Sequence, residues 1–170
     1  MAIFDLCYQR TLDFEDPNRT FNVRADNVGQ TIAGINSKAF PKQFHDIGNA
    51  PYNQREGLVR QFYYRDIWLP SNCEVIINQD LANNVFDACF NMGVKEGIKI
   101  LQGSANSCSL SSLNTDGILG PKTQAVINCV PFKMLFYSFI TFRISAYYDI
   151  AKNINASKDD IMSWINRTIN

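Results

Sequence analysis

Residues 2–15 read AIFDLCYQRTLDFE, followed by DPNRTFNVRADNVGQ over 16–30 and TIAGI over 31–35. In the first segment Phe4, Cys7, Tyr8, Thr11 and then Phe14 recur at helical spacing, which predicts a first helix ending close to Glu15. The second segment is rich in Asp, Asn, Pro and Gly, the residues that interrupt helices and form turns. Its short apolar patches, Phe21 and Val23, together with Thr31 to Ile35, fit a small β-hairpin or irregular wing and offer the only plausible β structure in the chain. A helix that ends on an acid and opens into a polar wing is the feature from which the rest is read.

Beyond Pro41 the periodicity returns to the helical value over 53–68, 78–91, 94–104, 121–129, 132–153 and 157–168. Ser157, followed by Asp159 and Asp160, suits an N-cap with acids in the first turn, and Pro121 suits the first position of a helix. The segment from Ser104 to Asn114 is rich in Ser and Asn without an apolar period, so a loop is expected there. The expected organisation is one compact unit: residues 1–93 carrying the chemistry and residues 94–170 packed on them.

Composition narrows the function classes. Lys plus Arg number 16 and Asp plus Glu 16 in 170 residues, so no global field draws the chain to nucleic acid or an anionic membrane, and no nucleic-acid partner is expected. The most membrane-like run, Met134 to Phe142, ends at Arg143 and falls short of the roughly 20 apolar residues of a spanning helix. Cys7, Cys73, Cys89, Cys108 and Cys129 form no Cys-x-x-Cys pair, and His45 is the sole histidine. Buried reduced thiols, with no metal centre and no cofactor, are therefore expected. The N-terminus MAIFDL carries an acid where a secretory signal has basic residues, so residence in the cytoplasm until release is the expectation.

Among chemistries open to such a chain, hydrolysis of a glycosidic bond needs two carboxyl groups in different environments. One protonates the leaving oxygen, and the other positions water or stabilises the oxocarbenium-like centre. Glu15, beside Phe14 at the end of an apolar-faced helix, suits the acid, because desolvation raises a carboxyl pKa. Asp26, in the polar loop, suits the ionised partner, and Thr31, opening the next extended segment, suits a residue that holds water. Acid pairs of this kind occur on any solvated surface, so spacing alone does not assign catalysis.

Ordered matches along the chain add specificity. Phe14-Glu15, the loop from Asn22 to Asn27, Thr31-Ile32-Ala33-Gly34-Ile35, Tyr63-Tyr64-Arg65-Asp66-Ile67-Trp68, Phe86-Asp87-Ala88-Cys89-Phe90-Asn91-Met92-Gly93 and Leu101-Gln102 resemble, in order, the motifs of glycoside hydrolase family 108, a family of muramidases. Asp116 to Thr123, Arg143 to Tyr148 and Ser163 to Arg167 resemble the peptidoglycan-binding-type segment that follows in that family. The likeness implies a mainly α, lysozyme-like helical fold and cleavage of the β-1,4 bond between N-acetylmuramic acid and N-acetylglucosamine in bacterial peptidoglycan glycan strands. It implies Glu15 as general acid, and a further likeness to phage lysozymes implies Asp26 and Thr31 as the water-orienting pair of an inverting reaction.

This chain departs from the family pattern after the acid, where Asp16-Pro17 replace two glycines and Phe14 replaces a histidine. Pro17 lacks an N–H and fixes φ, so the loop must take its own path, and Asp16 is expected to push the Glu15 pKa up. A catalytically inactive peptidoglycan-binding or secretion-accessory protein on the same fold is the alternative these changes suggest. Tyr64, Trp68 and Asn91 are candidate substrate contacts, the aromatics through their faces and Asn91 through its amide, although aromatics at helical spacing also serve as core. Asp116 to Thr123 is either a glycan-binding edge or a tight turn. Nothing in the sequence demands more than a monomer.

Overall fold

The computed structural model describes residues 1–25, 29–109 and 112–169. The first helix, α1 (Phe4–Glu15), buries Phe4, Cys7, Tyr8, Thr11 and Leu12 against α5 (Gln79–Met92). Between α1 and the next helix lies the expected wing, a three-stranded antiparallel sheet in the order β1 (Arg24–Ala25), β2 (Gln30–Ile32), β3 (Ile35–Asn36). Arg24 pairs with Thr31 and Ile32 pairs with Ile35. Ala33 and Gly34 form the two-residue loop of the β2–β3 hairpin, with φ of 46° and 77°. Two successive positive φ values are what the twist of a tight hairpin demands, which accounts for glycine in the Thr-x-x-Gly-Ile motif.

Pro41 opens α2 (Pro41–Asn49), an element the sequence reading did not assign; His45 lies on it with its side chain 75% exposed. The helix expected over 53–68 is α3 (Tyr52–Phe62), continuing as a π-helical stretch over Tyr63–Trp68 and one turn of α4 (Leu69–Ser71). A π segment turns the helix face by its wider winding. Here it buries Tyr63, Ile67 and Trp68 together. Tyr63 stacks on Phe90 with ring centroids 4.5 Å apart and meets Tyr8 edge-on at 5.2 Å.

Asn78 caps α5, its Oδ1 accepting from Leu81 N at 3.0 Å, and Gly93, with φ 88°, separates α5 from α6 (Val94–Cys108). The loop expected from Ser104 starts only at Ser109, past the end of α6, because Ser104 and Ala105 are buried. The hydroxyls of Ser104 and Ser107 donate to Ile100 O and Ser104 O, so these polar side chains bond within the helix instead of ending it. Beyond this, α7 (Pro121–Cys129), α8 (Phe132–Ile154) and α9 (Lys158–Ile169) complete the chain.

The Asp116 to Thr123 motif is a turn clamped by Gln102. The amide Nε2 donates to Asp116 Oδ1 at 2.8 Å and Ile118 O at 3.0 Å, while Oε1 accepts from Gly117 N at 2.9 Å. Gly117 has φ 80°, and a Cβ there would stand 2.7 Å from Lys95 O, so only glycine fits. Cys7, Cys73 and Cys89 are buried free thiols, whereas Cys129 is exposed and Cys108 partly so, which corrects the expectation of uniform burial. Among the described residues no single helix is long and apolar enough to cross a membrane.

Candidate active site

Glu15 is the last residue of α1, and its side chain is 18% exposed. The hairpin turn closes on it: a Cβ built on Gly34 would stand 2.5 Å from Glu15 Oε2 and 2.7 Å from Phe90 Cζ. The same turn is pinned from behind, where the buried Tyr63 hydroxyl donates to Ala33 O at 2.9 Å. Burial, and after it the Glu15 charge, push the Tyr63 phenol up, so it stays a donor. Helix α1, the wing, the π segment and α5 therefore meet at one carboxyl group.

The fourth wall comes from the far end of the chain. Arg167, on α9, donates from Nη1 to Glu15 Oε1 at 2.5 Å. Its other edge grips Asp87 on α5, Nη2 to Oδ1 at 2.6 Å and Nε to Oδ2 at 2.8 Å. Asp87 also accepts from Arg143 of α8, whose Nη2 reaches Tyr147 Oη at 2.9 Å. Asp87 and Arg143 are both fully buried, so each needs the other to offset desolvation.

The two carboxyl groups of this network titrate in opposite directions. Burial raises the Glu15 pKa, and the nearby Asp87 charge adds to it, while Arg167 opposes both through its charge and hydrogen bond; the net shift is upward. Burial pushes Asp87 up as well, but two guanidinium groups outweigh it and hold its carboxyl below the ordinary range. One carboxyl disposed to carry a proton beside one that stays ionised is the pattern of acid catalysis.

Asp16 does not play the part expected of it. It is 1% exposed, and its carboxylate turns away from Glu15 to accept from Phe21 N at 2.6 Å, Thr20 Oγ1 at 3.1 Å and Arg24 Nη2 at 2.6 Å. It organises the loop that Pro17 redirects, in which Arg19 and Phe21 take positive φ. The like charge acting on Glu15 is that of Asp87.

Thr31 lies half-buried in β2, between Arg24 and Asn36 in the sheet, three residues before Gly34 on the hairpin that covers Glu15. Asp26 lies outside the described residues. Asn91 is exposed, one residue past Phe90, with Nδ2 donating to Asp87 O at 3.0 Å. Trp68 and Tyr64 sit elsewhere. Trp68 is 5% exposed and packs on Phe4 and Phe86, so its ring belongs to the core and not to a substrate surface. Tyr64 is 41% exposed but meets Phe4 edge-on at 5.1 Å. At about 1.5 Å of rise per residue, Phe4 is roughly 16 Å from Glu15 along α1, so both aromatics stand at the wrong end of the helix.

Sequence reasoning gave no role to Arg167, Asp87 or Arg143. A signal was present: an arginine inside an apolar helix and an aspartate between Phe86 and Ala88 both demand buried partners. Nothing in a single sequence pairs them across 56 and 80 residues.

Comparison with known proteins gives the family and the fold. The family model described as Glycosyl hydrolase 108 matches residues 9–93, from the middle of α1 to the end of α5, a span holding Glu15, Gly34 and Asp87. Eleven chains of known structure match the fold. One of them, described as the structure of Brucella abortus SagA, aligns with 98% of this chain and 93% of that one, at a TM-score of 0.67 and 13% identity, a likeness of fold. No curated protein matches the chain by sequence.

Proposed function

The chain belongs to glycosyl hydrolase family 108, and from that premise we propose that it is a muramidase, cleaving the β-1,4 bond between N-acetylmuramic acid and N-acetylglucosamine with Glu15 as general acid. The observation that carries this reading is the Glu15 environment: a largely buried carboxyl with a raised pKa at the junction of helix and wing. Because Arg167 donates to Oε1, the proton sits on Oε2, the oxygen beside Gly34. From there it passes to the glycosidic oxygen as the C–O bond breaks, and the leaving sugar departs as a neutral alcohol.

Charge builds on the sugar carbon left behind, and a carboxylate with a positioned water on the opposite face completes the reaction. Asp26 is assigned as that carboxylate from the family and phage-lysozyme resemblance, and Thr31 as the residue that orients the water. Thr31 lies in β2 of the wing, on the strand that leads into the turn packed on the acid. An inverting course needs carboxyl groups roughly 6.5–9.5 Å apart.

The test is loss of turbidity of outer-membrane-permeabilised bacteria, together with the products released from purified sacculi. Wild-type protein is expected to release reducing sugar, and Glu15→Gln to lose at least about a hundredfold of that rate. Equal clearing by Glu15→Gln sinks the assignment. Release of free amines without reducing ends would make the protein a peptide-bond or amide hydrolase instead.

A further inference from the structure

Away from Glu15, a cavity of about 270 Å³ opens between α1, α5 and α8. Two residues of its lining, Arg10 and Asn84, each carry a buried polar atom with no hydrogen-bond partner among the described residues, Nη1 and Oδ1. Asn84 is 3% exposed, and its Nδ2 is already used on Asp80 O at 3.2 Å. Among the described residues no carboxylate is paired with Arg10; its guanidinium lies 5.9 Å from the Phe14 ring centroid. Lys133 adds a second positive charge to the lining, Phe136 and Tyr137 an aromatic side, and Asp80 a single acid.

An unmet buried donor and an unmet buried acceptor in one cavity are unusual, because folded proteins satisfy nearly all such groups. They call for complementary groups on a ligand: an anionic oxygen for Arg10, with Lys133 nearby, and an N–H for Asn84 Oδ1. An N-acylated amino acid or short acyl peptide carries both, a carboxylate and an amide N–H a few bonds apart, with a side chain to lie on Phe136 and Tyr137.

Position ties the cavity to the reaction. The Phe14 ring lies beneath both Arg10 and Arg167, the latter guanidinium 5.2 Å from its centroid, and Arg167 holds Glu15. Arg10 precedes Glu15 by five residues on the same helix, α1. We propose that this cavity is a subsite for the carboxylate-bearing stem peptide attached to the muramic acid, so that the enzyme reads the peptide as well as the glycan. The proposal rests on the muramidase reading for the identity of that peptide.

Two measurements test it. Kinetics on glycan strands bearing stem peptides are compared with the same strands stripped of peptide by an amidase. The expected result is a KM about tenfold lower for the peptide-bearing strands, the worth of one charge-assisted contact, at similar kcat. In Asn84→Asp, which offers Arg10 an internal carboxylate, that difference should disappear. Independently, an NMR titration of wild-type protein with N-acetyl-alanyl-glutamate and with its diamide should shift the Asn84 and Arg10 side-chain signals with the acid alone. Equal KM on the two strands, or equal or absent response to the acid and diamide, overturns the subsite. Cleavage of neither strand defeats the muramidase reading, while the titration still judges the cavity.

Discussion

Arg167 binds one oxygen of Glu15 and Gly34 leaves room for the other, and each makes a prediction. At Gly34 a side chain would meet Oε2 on a backbone whose φ of 77° already disfavours any Cβ. Left-handed backbone alone costs about 1–2 kcal/mol, and for a chain of this size that lowers Tm by roughly 2–8 °C. Gly34→Ala is therefore expected to melt earlier, seen by calorimetry, and to release sugar more slowly because Glu15 is displaced. Full activity in Gly34→Ala would mean that Oε2 needs no such close packing.

Arg167 acts on the proton itself. In the proposed role of Glu15 the neutral acid is the active form and is lost as pH rises through the Glu15 pKa; Arg167 lowers that pKa, so removing the charge is expected to move the alkaline limb of kcat/KM to higher pH. Arg167→Met should show the shift and Arg167→Lys a smaller one. A limb that stays put in both variants assigns the titration to another group. Glu15 was legible in the sequence as the acid on which a helix ends, and Asp16 and Pro17 as a changed loop after it. The direction in which Asp16 points was not, because a buried aspartate chooses its donors from residues that only the folded loop brings within reach.

At the scale of elements, α9 matters because its last turn supplies Arg167. Its start is a reciprocal cap: Ser157 Oγ accepts from Asp160 N at 3.1 Å, and Asp160 Oδ2 accepts from Ser157 N at 3.1 Å. The sequence showed the serine and the acids after it, and local bonding of this kind is readable because it spans three residues. Ser157→Ala is expected to cost about 1 kcal/mol. Amide hydrogen exchange should then quicken throughout α9 while α1 and α5 keep their protection; unchanged exchange in α9 would show that its tertiary contacts alone hold it. The π segment illustrates the other case. Tyr63–Trp68 has the apolar spacing of an ordinary helix, and its wider winding follows from burying Tyr63, Ile67 and Trp68 at once against α1 and α5.

For the whole molecule, Asp87 is the centre. It joins Arg143 of α8 and Arg167 of α9 to the helix that also carries Phe90, and Arg167 in turn reaches Glu15 of α1, so the two ends of the chain are tied through one arginine held by a buried carboxylate. Removing its charge leaves two buried cations poorly paired, and Asp87→Asn is expected to lose about 3–5 kcal/mol in urea denaturation at neutral pH. The sign of the pH effect follows from its depressed pKa. An unfolded aspartate takes up its proton near pH 3.9, the folded one only at lower pH. The stabilisation is thus complete above that value and is lost as pH falls through the folded pKa. Wild type should lose stability between pH 6 and pH 2.5 more steeply than Asp87→Asn, and parallel losses would show that Asp87 is not held ionised.

By itself the sequence determined the helices other than α2, the helix starts at Ser157 and Pro121, the polar wing after α1 and the candidacy of Glu15, because periodicity, capping and turn chemistry act over a few residues. The tertiary structure decided which charges face one another: Arg167 on Glu15, both arginines on Asp87, Asp16 away from the site, and Trp68 in the core instead of on a sugar. Pairings across 56 to 152 residues are set by how helices pack. Desolvation, which gives the acid its raised pKa, exists only once that packing has excluded water.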